Sequence, residues 1–108
     1  RSTEHTKQHE IYHAMKHHPQ KPRNPLDYAR QELEANYYAY KQCGQPKRIL
    51  MRLKGIYNDL AVDYGLSTNK NLYIIKRAMN MIAGLPTGWR VDYMELVKQV
   101  NLVNRRGS

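Results

Sequence analysis

The stretch NPLDYARQELEANYYAYKQCG, from Asn24 to Gly44, contains the start, the apolar face and the end of an α-helix. Asn24 is a good N-cap, and Pro25 suits the first helical position because its missing amide would have no partner there. Gly44 is a typical residue just past a helix end. Between these limits apolar residues recur at helical spacing, at Leu26, Ala29, Leu33, Tyr37 and Tyr40. The segment therefore predicts a long amphipathic helix.

Similar signals recur three times downstream. A second helix is predicted to begin at Pro46 and end at Gly65, and a third to begin at Ser67 or Thr68 and end at Gly84. A fourth is predicted to begin at Asp92, because Asp92 and Glu95 resemble a capping box. No stretch alternates between apolar and polar residues as a half-buried strand does. We therefore expect an all-α fold, with residues 24–106 forming a four-helix bundle domain.

The first 23 residues differ in character from the rest of the chain. They are polar, and Pro19, Pro22 and Pro25 separate them from the predicted bundle. All five histidines lie within the first 18 residues. Residues 1–23 are therefore predicted to be a separate, basic, histidine-rich N-terminal arm.

One motif in this arm suggests a different chemistry. The sequence HEIYH, His9 to His13, matches the H-E-x-x-H pattern, in which two histidines bind zinc and the glutamate activates a water. A polar arm is not expected to build the walls of a dry active site. We therefore predict no catalytic residue, no metal site and no cofactor, and expect incidental metal binding by the histidines at most. A zinc hydrolase that uses His9, Glu10 and His13 is retained as a competing hypothesis.

The charge balance favours a polyanionic partner. The chain carries 18 Lys and Arg against nine Asp and Glu, a net charge of +9. No apolar run approaches the roughly 20 residues that a membrane span needs. The predicted DNA-binding residues are Lys7, His9, His13, Lys16, Lys21, Arg23, Lys47, Arg48, Arg52, Lys54, Lys76 and Arg77. In the second helix, Arg48 and Arg52 are one turn apart and are expected to form part of an outward-facing basic strip.

The sequence contains no zinc-finger spacing, no basic region followed by heptads and no ribonucleoprotein motif. Contacts to phosphate, which fix position without reading bases, are therefore favoured. The segment YGLSTNKNLYIIKRAMN, Tyr64 to Asn80, has a turn glycine followed by a polar helix start. It leaves open a helix-turn-helix transcriptional regulator as the alternative function.

The segment LKGIYNDLAVDYGLSTNKNLYIIKRAMNMIAGLPTGW, Leu53 to Trp89, resembles the major coat proteins of filamentous and rod-shaped viruses of hyperthermophilic archaea, the lipothrixviruses and rudiviruses. The similarity lies in an L-K-x-x-Y helix that ends at Tyr64-Gly65, a helix of Ile, Ala and Asn, and a closing turn from Gly84 to Trp89. It covers roughly a third of the chain.

The resemblance implies a structural coat protein, not an enzyme, located in the virion and made in the host cytoplasm. It further implies that the arm and a basic helix wrap linear double-stranded DNA of A-like form without sequence specificity. His5, His9, His13 and His17 would then line one face of an arm helix beside phosphate. The expected protein partner is a second coat protein or another copy of this chain in a filament. The extension from Arg90 to Arg106 departs from the rod-shaped branch and could pack on the paired subunit or face a viral envelope.

Overall fold

The computed structural model describes residues 3–44 and 49–106. These ranges contain five helices and no strand, so the all-α prediction is confirmed. The helices are α1 (Glu4–Met15), α2 (Pro25–Cys43), α3 (Ile49–Asp63), α4 (Thr68–Asn80) and α5 (Thr87–Arg106). The described residues contain five helices and not four: α2 to α5 lie within residues 24–106, and α1 lies within the segment that was expected to be an arm.

The limits of α2 are those that its sequence predicts. The Asn24 side chain accepts a hydrogen bond from the amide of Leu26 at 2.8 Å. At the other end Gly44 adopts a left-handed conformation, with φ at 62°, and its amide donates to the carbonyl of Tyr40 at 2.7 Å. Glycine occupies this conformation without the steric cost that a Cβ brings, so the helix ends at Gly44.

The start of α5 was predicted incorrectly. Asp92 lies inside the helix, which begins at Thr87, so Asp92 and Glu95 do not form a capping box. The amide of Trp89 donates to the carbonyl of Pro86 at 3.0 Å, which closes the first turn directly after the proline. Burial of the Trp89 ring fixes this turn against the core. Ser67, one of the two predicted candidates, is the N-cap residue of α4, and this helix ends at Asn80 and not at the predicted Gly84. Pro46 lies outside the described residues.

The apolar core is formed by α2, α3, α4 and α5. Its buried members are Tyr28, Ala29, Leu33, Ile49, Leu53, Ile56, Leu60, Leu72, Ile75, Ala78, Met79, Trp89, Tyr93, Leu96 and Val100. Tyrosine hydroxyls at its rim bond to the backbone: Tyr93 donates to the Leu72 carbonyl at 2.9 Å, and Tyr37 donates to the Gly84 carbonyl at 2.9 Å. Tyr93 thus ties α5 to α4, and Tyr37 ties α2 to the turn before α5. None of the described helices combines the length and apolar character needed to cross a bilayer.

The helix α1 packs against α2 and does not project as a separate arm. Thr3 caps its start by accepting from the amide of Thr6 at 3.1 Å. His5 and His9 are buried, and Arg52 of α3 donates to the Thr6 hydroxyl at 3.1 Å. The expectation that residues 1–23 form a unit apart from the bundle is therefore corrected for the helical part, because polar side chains on one face of α1 find partners on α2 and α3.

We expect the Leu60→Ala substitution to lower the free energy of unfolding by about 2–5 kcal/mol, because it removes a fully buried side chain and leaves a cavity. Urea denaturation followed by circular dichroism measures this change. The matched control is Val62→Ala on the same helix, where the side chain is 80% exposed and the expected change is within about 0.5 kcal/mol. Equal losses for the two variants would contradict the assignment of the core face of α3.

Candidate functional site

Two histidines of the HEIYH motif meet a glutamate of α2. His9 Nε2 lies 3.0 Å from His13 Nε2, since the two residues are one turn apart on α1. The Glu32 carboxylate faces both, with one oxygen 2.7 Å from His13 Nε2 and the other 3.4 Å from His9 Nε2. Each residue can direct one ligand atom so that all three lie within 4.8 Å of one another. We refer to His9, His13 and Glu32 as the histidine–carboxylate cluster.

The second ring nitrogen of each histidine also has a partner. His9 Nδ1 lies 2.7 Å from Asn36 Oδ1, and because an amide oxygen only accepts, the imidazole donates. His13 Nδ1 lies 3.0 Å from His18 Nδ1. These contacts fix the orientation of both rings and direct their Nε2 atoms towards Glu32.

Within the cluster, the contact between His13 and Glu32 favours the charged form of both side chains. The hydrogen bond to Glu32 raises the pKa of His13 above its ordinary value, although burial of the ring opposes this. Burial would raise the pKa of Glu32, but hydrogen bonds from His13 and His9 outweigh it and hold that pKa at about 2. Burial, and then the neighbouring His13, lower the pKa of His18. His13 and Glu32 therefore form an ion pair between α1 and α2.

The cluster borders an open cavity of about 650 Å³ between the first helix, the segment after it and α2. Its lining includes Glu10, His17 and His18 in addition to the cluster. The N-terminal segment lines one side of this open cavity and α2 supplies the opposite side, which the sequence did not indicate. Glu32 was missed in the sequence, where it is indistinguishable from a solvated acid on a helix face.

The predicted DNA-binding residues divide into exposed cations and engaged side chains. The exposed ones are Lys7, Lys16, Lys21, Arg23, Lys54, Lys76 and Arg77. Two of them lie over aromatic rings: Lys16 Nζ is 5.8 Å from the Tyr12 ring centre, and Lys21 Nζ is 5.6 Å from that of Tyr64. Lys47 and Arg48 lie outside the described residues.

Three of the predicted residues do not face outward as expected. His9 and His13 turn towards α2, so they are not arranged along a free face beside phosphate. Arg52 is half-buried and bonds to α1 through Thr6, so it is not part of an outward basic strip. Spacing along α1 placed His9 and His13 correctly on a common side of that helix, but it could not reveal that α2 covers that side.

The clearest basic surface lies on α4. No Asp or Glu occurs between Asp63 and Asp92, and α4 lies entirely within this interval. Its exposed side chains include Lys70, Tyr73, Lys76 and Arg77, and the neighbouring Arg90 of α5 lines a depression together with Lys76. We call Lys70, Tyr73, Lys76, Arg77 and Arg90 the α4 cationic face. Lys70 and Arg90 were not among the predicted site residues, although the acid-free run in the sequence was a signal that could have found them.

Two residues of this face are held by local hydrogen bonds. Arg77 donates to the Tyr73 hydroxyl at 3.3 Å, and Arg90 donates to the Asn80 side-chain oxygen at 3.0 Å. Both partners are neutral, so neither bond cancels the positive charge. The face therefore presents cations with restrained positions to solvent.

Comparison with known proteins gives no relative for this chain: no family model, no curated protein and no solved structure matches it.

We expect the ion pair of the histidine–carboxylate cluster to stabilise the protein most between about pH 4.5 and pH 6.5. The contribution of Glu32 is present above its ordinary pKa of 4.5 and is lost as the pH falls towards 2. The contribution of His13, whose pKa is raised, is complete below 6.5 and is lost as the pH rises through the higher folded value. Urea denaturation of the wild type and of Glu32→Gln, with a chelator present, measures the difference.

That difference should reach on the order of 2 kcal/mol inside this window and shrink on both sides. The titratable neighbours His18 and Glu10 are retained in both proteins, and the difference reports the contacts of Glu32 with both His13 and His9. A difference that is constant from pH 3 to pH 9 would contradict the assigned pairing.

Proposed function

We propose that this protein is a structural coat subunit of a filamentous archaeal virus that binds linear double-stranded DNA without sequence preference. The observation that carries the proposal is the α4 cationic face, where exposed cations stand on a helix without a single acidic residue. The resemblance of Leu53 to Trp89 to archaeal viral coat proteins supports the virion as its location. The role proposed is structural and not catalytic.

The α4 cationic face suits phosphate better than bases. Lysine and arginine neutralise backbone phosphates whatever the sequence, and release of counterions then drives binding. Tyr73 is 58% exposed beside Arg77, which gives the face one aromatic surface among its cations. Lys54 on α3 and the cations before α2 add positive charge elsewhere on the surface. This distribution supports contact with a long polyanion that passes several sides of the subunit.

Exposed apolar side chains support assembly with further subunits. On α5, Val91, Met94, Leu102 and Val103 are exposed although they are large and apolar. Exposed apolar groups of this kind are a common feature of surfaces that pack against another protein. A second coat protein or another copy of this chain is the partner proposed for α5, and contact of this helix with an envelope remains part of the proposal.

A helix-turn-helix regulator is the second candidate. The connection between α3 and α4 is short, from Tyr64 to Ser67, and Gly65 within it has a φ of 62°. A tight turn with a left-handed glycine before an exposed helix is compatible with insertion of α4 into a major groove. In that case Asn69, Lys70 and Tyr73 would contact bases, and binding would favour one DNA sequence.

The test is binding to random-sequence linear double-stranded DNA over a range of salt concentrations, with electron microscopy of the same mixtures. The double substitution Lys76→Gln/Arg77→Gln should reduce the slope of log K against log salt by about 2, because about 0.9 counterions are released per phosphate contact. Affinity should fall equally for all sequences. Regular filaments along the DNA are the expected images for the wild type.

The matched control is Lys41→Gln/Lys98→Gln, which removes the same charge from exposed positions outside α4. If both double variants change the slope equally, net charge and not the α4 cationic face governs binding. Discrete complexes at one preferred site, without filaments, would reject the coat protein and favour the regulator.

A further inference from the structure

The geometry points to a transition-metal site formed by the histidine–carboxylate cluster, in which His9, His13 and Glu32 bind a Zn²⁺-class ion between α1 and α2. The site is independent of the proposed DNA binding, because none of its residues belongs to the α4 cationic face. It rests on the convergence of three ligand atoms, on the contacts behind them and on the adjacent cavity.

The first argument is the spacing of the ligand atoms. Zinc binds imidazole nitrogen and carboxylate oxygen at about 2.0–2.2 Å, so two ligands of a tetrahedral ion are about 3.3 Å apart. The corresponding distances are 3.0 Å between the two Nε2 atoms, 3.4 Å from Glu32 to His9, and 2.7 Å from Glu32 to His13. Small side-chain rotations that lengthen the shortest contact would admit the ion.

The second argument is the set of contacts behind the ligands. Histidines that bind metals commonly donate their other ring N–H to an acceptor, which fixes the ring and leaves the lone pair facing the ion. Asn36 Oδ1 accepts from His9 Nδ1 at 2.7 Å, and His18 Nδ1 lies 3.0 Å from His13 Nδ1. Because the contact with Asn36 keeps a proton on Nδ1, Nε2 is the ring nitrogen of His9 that is available to a metal ion, and it already faces the Glu32 carboxylate.

The third argument is access. The cavity of about 650 Å³ beside the cluster is open, so an ion can enter and a water can complete its coordination. The ligand set of two imidazoles and one carboxylate favours zinc, cobalt, nickel or copper over magnesium and calcium, which prefer oxygen ligands. Glu10 also lines this cavity. The proposal concerns metal binding and includes no hydrolytic step.

The experiment is isothermal titration calorimetry, in which Zn²⁺ is added to the full chain. The protein carries no polyhistidine tag and is first stripped of metal with a chelator. Visible absorption with Co²⁺ reports the coordination geometry. We expect one ion per chain, a Co²⁺ spectrum of four- or five-coordinate type, and no competition from excess Mg²⁺. Glu32→Gln and His13→Gln should each weaken Zn²⁺ binding at least about tenfold. Both positions lie outside the apolar core, and circular dichroism verifies that the variants fold.

The matched control is His17→Asn. His17 lines the same cavity but is not one of the three converging ligands, and its φ of 54° is a conformation that asparagine tolerates. This variant should bind Zn²⁺ within about twofold of the wild type. The proposal is overturned if the wild type takes up no stoichiometric ion, or if His17→Asn loses as much affinity as His13→Gln, which would show diffuse binding by the histidine-rich segment.

Discussion

The burial of α2 on two sides is the constraint on which the remaining helices depend. Ala29 and Leu33 belong to the apolar core shared with α3, α4 and α5. Ala35 and Ala39 are equally inaccessible but lie outside that core, on the side of α2 that carries Asn36. Small side chains there let α1 approach closely, and the polar groups of α2 then meet the histidines of α1. One helix thus supports an apolar interface and a polar one.

The two interfaces explain which parts of the fold the sequence could predict. Helix α2 was predictable because an N-cap, a proline, an apolar stripe and a glycine all agree, and each acts locally. Helix α1 was not, because the surface it buries is made of histidines, and apolar periodicity cannot detect such a face. The early start of α5 depends on the burial of Trp89, which is a tertiary contact. A capping pattern at Asp92 was therefore a weaker determinant than the packing of one ring.

The same reasoning applies to the candidate sites. A basic surface can be recognised from sequence, since the lysines of α4 are exposed without needing any contact with another helix. The histidine–carboxylate cluster could not be recognised from sequence, because Glu32 is 19 positions beyond His13 and only the packing of α1 on α2 brings them together. For Arg52 the prediction failed in the opposite way: it was expected to be a surface cation, but it bonds to Thr6 and so connects α3 to α1. Charge patterns therefore predict where cations lie on the surface more readily than where ionisable groups meet.

The helix α1 contributes no residue to the apolar core cluster. The core can consequently remain packed while α1 separates from α2, so the helix is a candidate for local opening below the free energy of global unfolding. Amide hydrogens of α1 would then exchange by a route that leaves those of the core helices protected. Ionisable groups take part in the contacts of α1 with α2 and α3, and solution conditions that leave the core unaffected can therefore change how firmly the first helix is attached.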